Sequence, residues 1–225
     1  MLVVPFIFGM VSGGARLMHI LLFAVWLLTY LFSYPVLQAI RTRKWKVYRT
    51  PMLLYGGLLL ASGVALAWLE PGLIVWVVPF LPLFAINCAF ARANNERSFV
   101  NDLVAVVQFS LIVFVSHELG GRGEWAAAAR LFALNLLYFT GTIFYVKTMI
   151  REKHNKAFYR YSVIYHVLLL IAGILLYPPV ICAPLAVLLV RAVLMPRRSM
   201  TVKQIGILEF IYSLLMVYAV IWTYG

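Results

Sequence analysis

The chain has 225 residues, of which 64% are apolar and 12% charged, with a formal net charge of +12. Soluble domains carry about 25% charged residues, and no water-soluble fold could hide this much apolar surface, so the composition excludes a soluble protein. The apolar runs are continuous rather than alternating, which excludes a β-barrel and predicts an all-α polytopic transmembrane helical bundle of about 8–9 transmembrane helices, a single transmembrane domain over residues 1–225.

Breakers and charges divide the chain into nine hydrophobic segments. The first, Met1–Val11, ends at "SGGAR". It lacks the basic flank of a cleavable signal peptide and is too short for a full span, which predicts either a half-span or a helix truncated at its N-terminal side. The second, Leu17–Ile40, precedes "RTRKWKVYR". The third, Pro51–Leu69, precedes "EPG", and the fourth, Leu73–Ala91, runs into "ARANNERSFVND". The fifth, Leu103–Val115, is followed by "SHELGGRGE". The sixth, Trp125–Ile150, is followed by "REKHNKAFYR". The seventh and eighth, Tyr161–Tyr177 and Val180–Leu194, are joined by Pro178-Pro179 as a tight hairpin. "MPRRSM" then leads to the ninth, Ile205–Tyr224. Cys88 and Cys182 stand alone in apolar runs, without metal or CxxC spacing, and read as packing residues.

The basic residues give an orientation. Sixteen of the nineteen Lys and Arg, Arg191 among them, fall after the second, fourth, sixth and eighth segments. Only Arg16, Arg122 and Arg130 fall on the other side. Excess Lys and Arg in short loops marks the cytoplasmic face. This predicts a multi-pass protein of the cell (inner) membrane with the even-numbered loops inside. The net charge then needs no nucleic acid. Its expected partners are the lipid bilayer and anionic headgroups beside the basic loops.

The polar groups near or within the hydrocarbon are the candidate site residues, because such groups are costly there unless paired. Asn87, Asn94, Asn101 and Gln108 recur every seven residues, a spacing that keeps side chains on one helix face. The chain turns between them, so Asn87 with Asn94 and Asn101 with Gln108 are the expected pairs. Ser98 or Asn101 is placed to cap the fifth segment, and Asp102 to complement its dipole. Asn94, Asn95, Glu96 and Arg97 exceed what capping requires. If the sixth segment continues as a helix, Lys147, Arg151 and Asn155 share a face with His154 close by, forming either a basic collar or a cradle for phosphate. Within the spans stand His166 and Glu209, the latter expected to be protonated or paired with Lys or Arg. No nucleotide loop, zinc-protease or serine-hydrolase signature is present.

Four stretches carry a resemblance: "VVPFIFGM", "LFSYPVLQ", "INCAFARANNERSFVNDLVAV" and "YFTGTIFYVKTMIREKHNKAFYRYSVIYH". They resemble the YwiC-like family of bacterial membrane proteins over most of the chain. The resemblance implies a multi-span protein of unassigned biochemical function whose first helix is usually preceded by a short polar segment. A weaker likeness is to the UbiA-type prenyltransferases, nine-span enzymes with two Asp- and Asn-rich motifs that hold a lipid diphosphate through Mg²⁺. It would place Mg²⁺ at Glu96 and Asp102 and phosphate near Arg97, Lys147 and Arg151, although these acids are six apart rather than four. Two functions follow as alternatives: a small transporter or accessory membrane protein with a polar cytoplasmic face, or a membrane-embedded transferase acting at the 94–102 and 147–155 loops. The sequence leaves open whether the chain is an enzyme.

Overall fold

The computed structural model describes residues 1–198 and 200–225, and the described residues are helical with short connections. In chain order the helices are α1 (Val3–Gly13), α2 (Met18–Thr42), α3 (Trp45–Leu69), a 3-10 turn (Pro71–Trp76) leading into α4 (Val77–Arg92), α5 (Phe99–Ser110), α6 (Ile112–Gly120), α7 (Trp125–Ile150), α8 (Lys156–Leu176), α9 (Pro179–Leu194) and α10 (Val202–Tyr224). Among the described residues, eight stretches are long and apolar enough to cross a bilayer: α2, α3, the 3-10 turn with α4, α5 with α6, α7, α8, α9 with its 3-10 extension, and α10. Helices satisfy their own backbone hydrogen bonds, which is why an apolar chain in lipid adopts them. The protein is a multi-pass helical membrane protein.

Three sequence expectations require correction. The "RTRKWKVYR" stretch is almost wholly helical, because α2 runs to Thr42 and α3 starts at Trp45; Arg43, in a left-handed conformation at φ 58°, makes the turn. The fifth segment is two helices, broken at Leu111. The sixth ends at Ile150, so Lys147, Arg151 and Asn155 do not lie on one continuous helix face. Instead the Arg151 and Glu152 amides both turn back to the Lys147 carbonyl.

The described residues divide into two compact units, 1–132 and 133–225. In the first, Phe6, Leu22, Trp26, Leu66, Leu73, Ile112, Val115 and Leu119 form the core. Helix α1 lies directly on α6, and three glycines make this approach. A Cβ on Gly9 would stand 2.2 Å from the Val113 carbonyl oxygen, and one on Gly13 2.2 Å from that of His117. One on Gly120 would stand 2.2 Å from the Gly13 carbonyl carbon. Gly9 and Gly13 are thus a small-xxx-small pair that lets two backbones touch, the packing mode favoured where lipid removes the hydrophobic drive between helices. Helix α3 has a single buried side chain, Leu66, and its Leu53, Leu54, Leu58, Leu60 and Val64 are exposed, as expected of a lipid-facing surface.

Alternation of the loops is visible within this unit. On one side Arg16 Nη1 donates to the Leu119 carbonyl (2.9 Å) and stands 4.0 Å from Glu70, and the Arg122 amide donates to Gly13 (3.2 Å). On the other, Arg41 pairs with Glu96 at 3.2 Å. Loops after the first, third and fifth segments therefore meet one another, and loops after the second and fourth meet one another.

In the second unit the α8–α9 hairpin forms at Pro178 and Pro179, as expected. A Cβ at Gly173 of α8 would stand 2.4 Å from Leu185 Cδ1 of α9, so a larger residue there would make the Leu185 side chain turn aside. The Tyr159 hydroxyl donates to the Val193 carbonyl (3.1 Å), and the Tyr165 hydroxyl to that of Leu137 on α7 (2.9 Å).

Candidate functional site

The turn from α4 to α5 is built from the polar run that the sequence singles out. Asn94 takes φ 52°, a left-handed conformation that asparagine tolerates better than most residues. Its amide donates to the Ala91 carbonyl (3.1 Å) and that of Asn95 to Phe90 (2.9 Å), the paired bonds of a Schellman stop. Ser98 Oγ then accepts from the Asn101 amide (3.1 Å) and starts α5, with Asp102 in its first turn. Asn101 Nδ2 donates to the Glu96 carbonyl at 2.8 Å, and the Glu96 carboxylate faces Arg41. Asn94, Asn95 and Arg97 are exposed. Because α4 ends at Arg92, Asn94 does not share a helix face with Asn87. Asn87 instead bonds Gln108 of α5, from Nδ2 to Oε1 at 2.7 Å, and also donates to the Leu83 carbonyl. The heptad spacing of amides thus becomes a cross-helix bond.

The α7–α8 turn is similar in kind. Asn155 caps α8 by accepting from the Phe158 amide (3.0 Å) and donates to the Glu152 carboxylate (2.8 Å). Glu152 lies outside both helices. Arg151, Lys153 and His154 are exposed, whereas Lys147 is buried near the end of α7. Among the described residues no three His, Cys, Asp or Glu side chains converge as a metal site.

The most unusual group is one that the sequence counts as a loop cation. Arg191 lies in α9, only 1% exposed. Its Nη1 donates to Glu209 Oε1 of α10. The guanidinium carbon stands 4.2 Å from the ring centre of Tyr145 on α7 and 5.0 Å from that of Tyr212. Around this pair, Tyr138 and Ser213 share a hydrogen bond at 3.0 Å, and Thr142 lies beside the Glu209 carboxylate. His166 of α8 is fully buried with its Nδ1 on the Ser162 carbonyl (2.7 Å). Arg191 Nε and Nη2, the Tyr145 hydroxyl and His166 Nε2 have no hydrogen-bond partner among the described residues.

An isolated guanidinium inside a helix of a bilayer protein costs roughly 2.5–3.5 kcal/mol on insertion scales. Here one carboxylate and two aromatic faces oppose that cost, and a desolvated cation–π contact contributes about 2 kcal/mol. The sequence names Glu209 and His166 but misses Arg191, because a cation three residues from a helix end is indistinguishable from a snorkelling one. The available signal was Glu209 itself, which needed a buried cation from a neighbouring span.

A second buried set, in the first unit, joins α1 and α2 to α6. His117 Nδ1 pairs with Ser12 Oγ at 2.9 Å, and His19 Nε2 with the Ser116 carbonyl at 2.9 Å. Ser116 Oγ donates to the Phe6 carbonyl (3.0 Å). These bonds brace the glycine-packed pair.

Comparison with known proteins finds relatives of this chain. The family model of the YwiC-like protein matches residues 1–117. The chain is 39% identical over 212 residues to the "Uncharacterized protein YwiC" of Bacillus subtilis (strain 168), covering 94% of this chain and 88% of that one. The chain belongs to the YwiC-like family. An "Uncharacterized protein" of Haemophilus influenzae (strain ATCC 51907 / DSM 11121 / KW20 / Rd) is 28% identical over 210 residues, with 93% and 88% coverage. No solved structure matches the chain. The Schellman turn and the Asn87–Gln108 bond lie inside the matched part. The Arg191–Glu209 pair lies beyond it, within the span aligned to both relatives.

Proposed function

We propose that this YwiC-like protein is a small transporter of the cell membrane whose working centre is the buried Arg191–Glu209 pair. The observation that carries the reading is a guanidinium 1% exposed among apolar helices, with one carboxylate partner and two unpaired nitrogens. A purely structural brace would be expected to pair all its donors, because each unpaired buried donor costs roughly 1–3 kcal/mol. An ion or polar solute passing through the membrane needs such groups at depth. The basic loops after the second, fourth, sixth and eighth segments face the cytoplasm in this reading, in contact with anionic headgroups. Removing Arg191 from that tally leaves the bias intact.

The diphosphate transferase is the weaker reading. The amides and carboxylate of 94–98 are engaged in stopping α4, starting α5 and pairing with Arg41, and Glu152 and Asn155 are engaged with each other. These roles account for the residues without Mg²⁺.

The test needs no substrate. In a Cys88→Ser, Cys182→Ser background, Ser213→Cys places a thiol beside Tyr138. A transporter centre is reached by small impermeant thiol reagents from both faces of oriented vesicles. A thiol closed to both faces identifies a structural brace and overturns the transport reading.

A further inference from the structure

We infer that Arg191 is the binding site for a small planar oxyanion of the carboxylate type, taken up together with a proton on Glu209; the inference rests on the transport reading and names its substrate class. The argument starts from which donors are free. Arginine presents five N–H donors in a fixed planar fork. Nη1 is occupied by Glu209 Oε1, whereas Nε and Nη2 have no partner among the described residues. Nε and Nη2 form one edge of the guanidinium, and their parallel N–H bonds match the two oxygens of a carboxylate. The Tyr145 hydroxyl, also buried and unpartnered, is a further donor on the same guanidinium's aromatic neighbour. The unmatched atoms here include the donors of Arg191 and Tyr145, which select an acceptor with negative charge, and the acceptor Glu209 Oε2, which a proton would satisfy.

Charge then couples the anion to a proton. With Glu209 ionised, Arg191 is already neutralised, and a second anion meets the repulsion of that carboxylate. With Glu209 protonated, the cation is uncompensated and the anion completes it. Anion and proton hence bind together more tightly than either alone, and the coupling is reciprocal. The groups facing this pair are Tyr138 and Tyr145 from α7, His166 from α8, Arg191 from α9 and Tyr212 on α10 itself. His166, whose Nε2 has no hydrogen-bond partner among the described residues, is the other side chain of this set that can take up a proton, so it is the rival proton site.

The experiment uses the purified full-length protein in detergent, with potassium acetate, nitrate and chloride as probes at constant ionic strength. Acetate and nitrate, each offering a coplanar pair of oxygens to the guanidinium edge, are expected to raise the melting temperature saturably, and chloride is not. The acetate midpoint should weaken by about tenfold per pH unit where one proton is coupled. Arg191→Lys, which keeps the charge and loses the fork, should weaken acetate at least about tenfold. Glu209→Gln should bind acetate with no pH dependence.

The inference is overturned if the wild type shows no saturable response, if chloride acts equally, or if Arg191→Lys binds acetate unchanged. A pH dependence that survives Glu209→Gln and vanishes in His166→Gln overturns the assignment of the proton. Acetate binding in a protein whose Ser213→Cys thiol is closed to both faces would leave the anion site standing and remove transport. Two-sided access without any oxyanion response would do the reverse.

Discussion

Replacing Gly13 by alanine tests whether α1 is seated on α6 as described. The added Cβ would stand 2.2 Å from the His117 carbonyl oxygen and 2.7 Å from its Cα, whereas ordinary contact begins at 3.4 Å. Both obstructing atoms are backbone, so no side chain can swing aside. The helices must part by roughly 1 Å, a misfit of the kind that costs about 1–3 kcal/mol in a packed interior. The same displacement stretches the Ser12–His117 bond, now 2.9 Å, beyond hydrogen-bonding range, at about 0.5–1.5 kcal/mol. Together these give a loss of roughly 2–4 kcal/mol, on the order of 5–15 °C in melting temperature by the scaling for a chain of this size. The assay is heating in detergent followed by fluorescence-detected size exclusion. Gly57→Ala is the control, since nothing lies within 4 Å of a Cβ there. If Gly13→Ala melts with Gly57→Ala, the close approach of α1 and α6 is refuted.

Glu209→Gln should lower stability by roughly 3–5 kcal/mol, because it leaves a buried cation without its counter-charge. The double variant Arg191→Met, Glu209→Gln should recover much of that loss in the same melting assay. Asn87→Leu or Gln108→Leu alone should each cost about 0.6–1.7 kcal/mol, and the double substitution less than their sum, since no amide is then left unpaired. Cysteines at Lys44, Lys153 and Arg198 should react with impermeant maleimide only from the cytoplasm, and one at Arg122 only from outside. Labelling of Lys153 from outside would overturn the orientation.

Hydropathy alone located every span, because a run of about 20 apolar residues has few alternatives in a bilayer. Positions of breaks were less legible. The α5–α6 break at Leu111 follows Ser110, whose hydroxyl donates back to the Val106 carbonyl, a bond that bends helices and that hydropathy does not register. The ends of α2 and α3 invade a basic stretch because lysine and arginine are good helix formers and charge does not stop a helix. Asn87 and Gln108 were found by their spacing, although Asn94 follows the same spacing and does something else: it turns the chain. Glu209 was visible as an intramembrane acid. Its cation was not, since Arg191 near the end of its span reads like any charge that reaches for the interface.

The contact between Gly13 and Gly120 has a consequence for how the protein is made. The two residues are 107 positions apart, and ribosomes add roughly 5–20 residues per second. For roughly 5–20 s after Gly13 is polymerised, α1 therefore has no α6 to rest on. Over that interval its glycine stripe and the Ser12 hydroxyl face whatever shelters nascent chains at the membrane. A chain arrested before residue 112 would hold α2 to α4 with α1 still unseated. Docking of α1 is thus a late step in building the first unit, although α1 is synthesised before α2 to α6.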